Sequence, residues 1–97
     1  MRIISIKRLK EFWEIYPDSE DACQAWYAEA KAATWKNPAE IKERFGSASI
    51  LKDSRVVFNI CGNKYRLIVK INYSYSVIYI RFVGTHKEYD AIEAEVV

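Results

Sequence analysis

From Arg55 onward the hydrophobic period of this 97-residue chain becomes two, and that change limits the folds open to it. Arg55–Ile60, Lys64–Asn72 and Val77–Val83 are runs rich in β-branched and aromatic residues. Only C-G-N and N-Y-S-Y-S separate them. Connections this short join neighbouring strands that run in opposite directions, so an antiparallel meander is predicted.

Upstream the period is helical. Arg2 to Ile4 make a short strand candidate, after which Ser5 is expected to cap a helix carrying Ile6, Leu9, Phe12, Trp13 and Tyr16 on one face. Pro17 closes that helix. Asp18 opens a second, with Glu20 and Asp21 in its first turn, where carboxylates suit the helix dipole. Its apolar stripe is Cys23, Trp26, Tyr27, Ala30, Ala33 and Thr34. Asn37-Pro38 suits the cap and first position of a short third helix, with Ile41 and Phe45 buried and Gly46 as terminator. No repeat, low-complexity segment or linker interrupts the chain. The economical reading is one α+β domain, 1–97, of β-α-α-β-β-β order, with the two N-terminal helices packed on one face of a small antiparallel sheet.

Charge is where the sequence turns towards function. Fifteen basic and thirteen acidic residues nearly cancel, giving a formal net charge of +2. Their distribution does not cancel. Between Ser54 and Lys87 there is no Asp or Glu, while Arg55, Lys64, Arg66, Lys70, Arg81 and Lys87 are all basic; Glu88, Asp90, Glu93 and Glu95 then form an acidic tail that could cover the basic block or face a partner. A single-signed segment expects an anionic partner, phosphates first. Hydrophobic residues at 51% and charged ones at 29% are the composition of a globular protein, not a disordered one. Two cysteines, Cys23 and Cys61, make neither a disulfide framework nor a zinc site. No apolar run approaches membrane-spanning length and M-R-I-I-S-I-K-R is no leader, so a cytoplasmic protein with no membrane partner is expected.

Alternation divides the strands into two faces. Val56, Phe58, Ile60, Tyr65, Leu67, Val69, Ile71, Ile78, Ile80 and Phe82 form an apolar face. Arg55, Val57, Asn59, Cys61, Lys64, Arg66, Ile68, Lys70, Asn72, Val77, Tyr79, Arg81 and Val83 form the other, which takes most of the basic residues. This second face can be simply the wet side of a half-buried sheet. A solvated face usually mixes signs, however, and one sign with Tyr79 among it suits phosphate contacts and base stacking.

The turn G-T-H-K-E-Y-D holds the only histidine, His86. Cleaving RNA without a metal requires a base for the 2′-hydroxyl proton, cations for the phosphate and an acid for the departing 5′-oxygen. His86 titrates near neutrality when unperturbed and Arg66 has the planar fork that clamps a phosphate. If a helical turn follows Thr85, His86, Tyr89 and Asp90 lie near one another. The same residues read as a T-H-K-E capping box that merely begins a helix, and a rigid cap would also hold His86 still. Metal hydrolysis is disfavoured, because the carboxylates sit beside one His with no H-x-x-x-H or C-x-x-C spacing; no metal and no cofactor are expected. Three glycines form no phosphate loop.

The run F-N-I-C-G-N-K-Y-R-L-I-V-K-I (Phe58 to Ile71) followed by Y-I-R-F-V-G-T-H-K-E-Y-D (Tyr79 to Asp90) resembles the HigB family of RelE-like toxins from bacterial type II toxin-antitoxin modules. The opening M-R-I-I-S and the aromatic helices with N-P after the second also fit, so the resemblance covers almost the whole chain. It implies an mRNA interferase, a metal-independent endoribonuclease that cuts mRNA on the ribosome. It further implies a HigA-like helix-turn-helix antitoxin, with operator DNA engaged only through the complex. By position, the resemblance makes His86, Tyr89, Arg66 and Asp90 catalytic, with Lys64 and Lys87 as phosphate partners. Arg55, Lys70, Tyr79, Arg81, Asn59 and Asn63 complete the expected RNA-binding set. The acidic end departs from the basic tail of many relatives. Two other readings stay open: a toxin that acts by binding alone, as gyrase poisons of this superfamily do, and a plain RNA-binding module.

Overall fold

Strands form where the sequence alternates. The computed structural model describes residues 1–97 and carries β3 (Arg55–Ile60), β4 (Tyr65–Asn72) and β5 (Val77–Thr85) as an antiparallel meander. Two further strands complete the sheet in the order β1-β5-β4-β3-β2. β2 (Ser49–Ile50) has no counterpart among the expected strands; two residues are too few to show a period, and it forms by pairing with Val56 and Val57. β1 (Arg2–Ile4) runs parallel to β5, Ile3 opposite Ile78, so the sheet is mixed and not wholly antiparallel. The parallel direction of β1 is fixed by its pairing with β5, remote in sequence, which no local pattern encodes.

α1 (Ile6–Ile15), α2 (Glu20–Ala32) and α3 (Pro38–Arg44) lie over the apolar face. Leu9, Phe12, Cys23, Trp26, Ala30 and Ile41 are buried there against Val56, Phe58, Ile60, Leu67, Val69, Ile71, Ile78 and Ile80. Phe58 sits at the centre, with Trp26 at 5.5 Å and Phe45 at 5.1 Å edge-on and Trp35 stacked at 6.4 Å between ring centroids.

The helix ends depart from expectation where a tertiary contact competes. Ser5 makes no side-chain cap; it takes a left-handed conformation (φ 71°) to turn the chain from β1 into α1. Asp18 is not in α2 but in a 3₁₀ turn, Pro17–Ser19, because its carboxylate is directed to β4. α2 stops at Ala32, and Ala33 is already extended, so Ala33 and Thr34 fall outside the helix. Asn37 caps α3 as predicted, its Oδ1 accepting the Glu40 N–H at 3.1 Å. Gly46 is not the terminator: Phe45 ends α3, and Lys42 Nζ binds the Gly46 and Ala48 carbonyls, each at 2.7 Å.

One irregularity changes the assignment of faces. Ile68 pairs with Phe82 and Val69 with Ile80, so Arg81 is an extra residue, a β-bulge. Val83 therefore pairs with Leu67 and packs against the core, while Phe82 moves to the second face, the reverse of strict alternation. Phe58→Ala is expected to lower the unfolding free energy by about 3–5 kcal/mol, read as a lower urea midpoint at unchanged slope.

Candidate active site

The second face is partly covered, contrary to an open wet surface. Val57 and Ile68 are buried, Arg55 is 7% exposed and Arg66 9% exposed. The covering comes from α4 (His86–Asp90) and the segment that follows it.

α4 begins because Thr85 and Glu88 cap it reciprocally. Thr85 Oγ1 accepts the Glu88 N–H at 3.1 Å, and Glu88 Oε1 accepts the Thr85 N–H at 2.8 Å. Backbone pairing fixes the turn from the other side, the His86 N–H donating to the Lys64 carbonyl at 3.2 Å. Gly84 lies opposite Arg66, and a Cβ there would come within 2.6 Å of the Phe82 ring and 3.1 Å of Glu88 Oε1. A side chain at residue 84 would displace the ring or the capping carboxylate.

Within this turn His86 and Asp90 are one helical turn apart, and Nδ1 lies 3.0 Å from Asp90 Oδ2. An ionised carboxylate only accepts, so it holds the proton on Nδ1 and leaves Nε2 as the free acceptor of the neutral ring. Arg66 reaches the same turn from β4. Its Nη1 donates to the Asn63 and Tyr65 carbonyls at 3.0 and 3.2 Å, and the guanidinium carbon lies 5.7 Å from the centre of the Tyr89 ring. The loop carbonyls hold one arm and leave Nε and Nη2 without a protein acceptor. Arg66, His86, Tyr89 and Asp90 thus meet around one turn, with exposed Lys87 beside them.

The remaining candidates divide. Asn59 is half-buried opposite Arg66, and Asn63 contributes its carbonyl to that arginine. Lys64 points to the helix side, paired with the Asp18 carboxylate and 5.7 Å from the Tyr65 ring centre. Asp18 Oδ1 also accepts the Tyr65 hydroxyl at 2.6 Å. The Lys64 and Tyr65 hydrogen bonds hold the Asp18 carboxyl below its ordinary value of 3.8, and Asp18 in turn raises both Lys64 and Tyr65. Farther along the sheet, Arg55, exposed Lys70 and Tyr79, 37% exposed, form a row across three strands, with Arg81 next to it. Asp18 carried no signal as a partner of Lys64, since it lies 46 residues away in sequence. Glu88 was legible only through the capping-box spacing.

An α+β domain of this architecture, with a basic sheet face and an arginine, a histidine and a tyrosine gathered at the strand end, falls in the class of RelE-like toxins. Residues 19–92 match the family described as HigB toxin, RelE-like toxic component of a toxin-antitoxin system, and the chain belongs to that family. It is 34% identical over 96 residues to the mRNA interferase toxin HigB of Escherichia coli strain K12, covering 97% of this chain and 92% of the relative. The mRNA interferase HigB of Shigella flexneri is similar to the same extent, 34% over 96 residues with the same 97% and 92% coverage. A third, the mRNA interferase HigB of Escherichia coli O6:H1 strain CFT073, is 27% identical over 94 residues, with 95% and 91% covered. No helix is long and apolar enough to cross a membrane.

Two outcomes follow from the Glu88 cap and from the Asp18 carboxylate on the helix side. Glu88→Ala removes the acceptor of the Thr85 N–H and should destabilise α4 locally by about 1 kcal/mol, seen as faster hydrogen exchange at Thr85 and Glu88. Because Asp18 is lowered in the folded state, its contribution to stability is present above pH 3.8 and lost as the pH falls through the folded value. Asp18→Asn should therefore flatten the acid limb of the stability profile measured by urea unfolding between neutral pH and pH 2.

Proposed function

We propose that this chain is an mRNA endoribonuclease, an mRNA interferase that needs no metal and acts on messages being translated. The observation that carries the reading is the meeting of Arg66, His86, Tyr89 and Asp90 around one capped turn. Two lines support it beyond that turn: the family, and the curated relatives named mRNA interferases over nearly the whole chain length.

In this reading His86 Nε2, free because Asp90 holds Nδ1, takes the proton from a ribose 2′-hydroxyl. The 2′-oxygen attacks the adjacent phosphorus, and the bond from phosphorus to the 5′-oxygen breaks. Tyr89 delivers the proton that the departing 5′-oxygen needs, so the products are a 2′,3′-cyclic phosphate and a 5′-hydroxyl. The open arm of Arg66 holds the non-bridging oxygens, and its charge over the Tyr89 ring favours the negative charge that grows on the phenol oxygen. Asp90 is a positioning residue, acting through His86. Lys64 can join the phosphate only by leaving Asp18; Lys87 needs no such exchange.

A toxic component of a toxin-antitoxin system has an antitoxin. We take this partner to be HigA-like, with a helix-turn-helix domain through which the complex meets its operator.

The test is induced expression in a bacterium with mRNA 5′ ends mapped by primer extension, with and without translation. New cuts within translated messages are expected, reduced by about 10²–10⁴ in His86→Ala. Growth arrest without new cuts would replace this reading with a toxin that acts by binding alone.

A further inference from the structure

Away from the catalytic turn, two arginines converge on one oxygen. Arg55 Nε and Nη2 donate to the Val97 main-chain oxygen at 3.1 and 3.0 Å, and Arg81 Nε donates to the same atom at 3.3 Å. The oxygen sits in a fork that a non-bridging phosphate oxygen would suit equally, since planar guanidinium donors bind both. Arg55 is 7% exposed and held within the sheet, and exposed Arg81 joins it from the bulge. Arg81 reaches it because the bulge frees it from the β4 register.

We propose that the Arg55–Arg81 fork is a phosphodiester subsite, and that residues 92–97 occupy it as an intramolecular stand-in that RNA must displace. The inference rests on the RNA-cleaving reading above and adds to it a second phosphate position with a strap across it. Lys70 and Tyr79 stand in the same row as Arg55, where a base can stack on Tyr79 beside the held phosphate. Arg66 and Lys70 are four residues apart on one face of β4, about 13 Å, a span that a few extended nucleotides cover. The path therefore runs from the scissile phosphate at Arg66 along the sheet to the fork.

The strap is suited to leaving. None of residues 91–97 is buried; Val96 and Val97 donate only to the Glu93 carbonyl, at 3.1 and 3.2 Å, and Lys52 meets Glu95 at 3.7 Å in an exposed pair. Exposed pairs of that kind contribute little. Departure of the strap opens the Arg55 donors to water, and an anion arriving at the fork takes the same donors that the Val97 oxygen uses. The two compete for one position, so release of the strap is coupled to occupancy of the fork. The acidic Glu93 and Glu95 would also repel RNA while the strap is in place.

Two measurements test this in a His86→Ala background. The first compares the full chain with a variant lacking 92–97 in binding a fluorescent single-stranded oligoribonucleotide across a salt series. Removing the strap should tighten binding about tenfold at low salt and steepen the salt dependence by about one unit, as expected for one or two added phosphate contacts; Arg81→Gln in the shortened chain should reverse part of both. The second follows amide exchange of Val96 and Val97 in the full chain as inorganic tripolyphosphate is added, and faster exchange that Arg81→Gln suppresses is expected. RNA binding with equal affinity and slope in both chains would overturn the subsite and leave the nuclease reading intact. Exchange unmoved by tripolyphosphate would overturn the displacement. Strap release by tripolyphosphate, with no RNA bound by either chain, would uphold the anion fork and place the failure in the RNA reading.

Discussion

A single extra residue in β5 sets the position of the candidate site. With Arg81 bulged, Phe82 and Gly84 share the face of Arg66, and Val83 closes the core against Leu67. In unbroken register Val83 would stand opposite Arg66, and α4 would leave the strand one residue out of step, turned to the other side of the sheet. The bulge lets β5 complete the core and also deliver α4 onto the basic face. It is retained because both halves of the strand bury an apolar partner in the shifted register: Ile80 beside Val69, Val83 beside Leu67.

A sheet face that holds two nearly buried arginines needs partners for them, and here these are main-chain oxygens. Asn63 and Tyr65 supply Arg66, and Val97 supplies Arg55. The Asn63 and Tyr65 carbonyls satisfy the Arg66 N–H groups without neutralising its charge, so that part of the face keeps a positive potential that a carboxylate side chain would have cancelled. The carboxylates of this region are arranged at its margins. Asp18 takes Lys64 on the helix side, Asp90 takes His86, and Glu88 is committed to the α4 cap. Folding and the candidate site share the same few residues: the hydrogen bonds that begin α4 also hold His86 in place.

Local sequence carries no mark of where distant parts of the chain meet. The three long strands, the Asn37 cap and the capping box at Thr85 could be read in advance because each depends on residues within a few positions of one another. The likeness to HigB toxins was legible for a similar reason, since its two motifs are continuous runs. Asp18 looks like the first residue of a helix, yet its carboxylate is committed to Lys64, in the turn before β4, and to Tyr65 of β4, which holds it in a 3₁₀ turn. Lys64 looked like a member of the basic face for want of that same contact. Phe82 was misplaced because alternation carries no mark of where a bulge will fall.

The sequence by itself determined the α+β class, the apolar face and helices that cover it, the absence of acidic charge from 54 to 87, and the capped turn at His86 as a local motif. Hydrophobic period, capping and charge are properties of neighbouring residues, so they survive without knowledge of the fold. Only the tertiary structure decided that β1 joins β5 in parallel, that Arg66 lies over Tyr89, and that the final segment folds back into the Arg55–Arg81 fork. Those three contacts span tens of residues, and each forms because a strand edge, a guanidinium or a main-chain oxygen must be satisfied by whatever the packed core brings within reach.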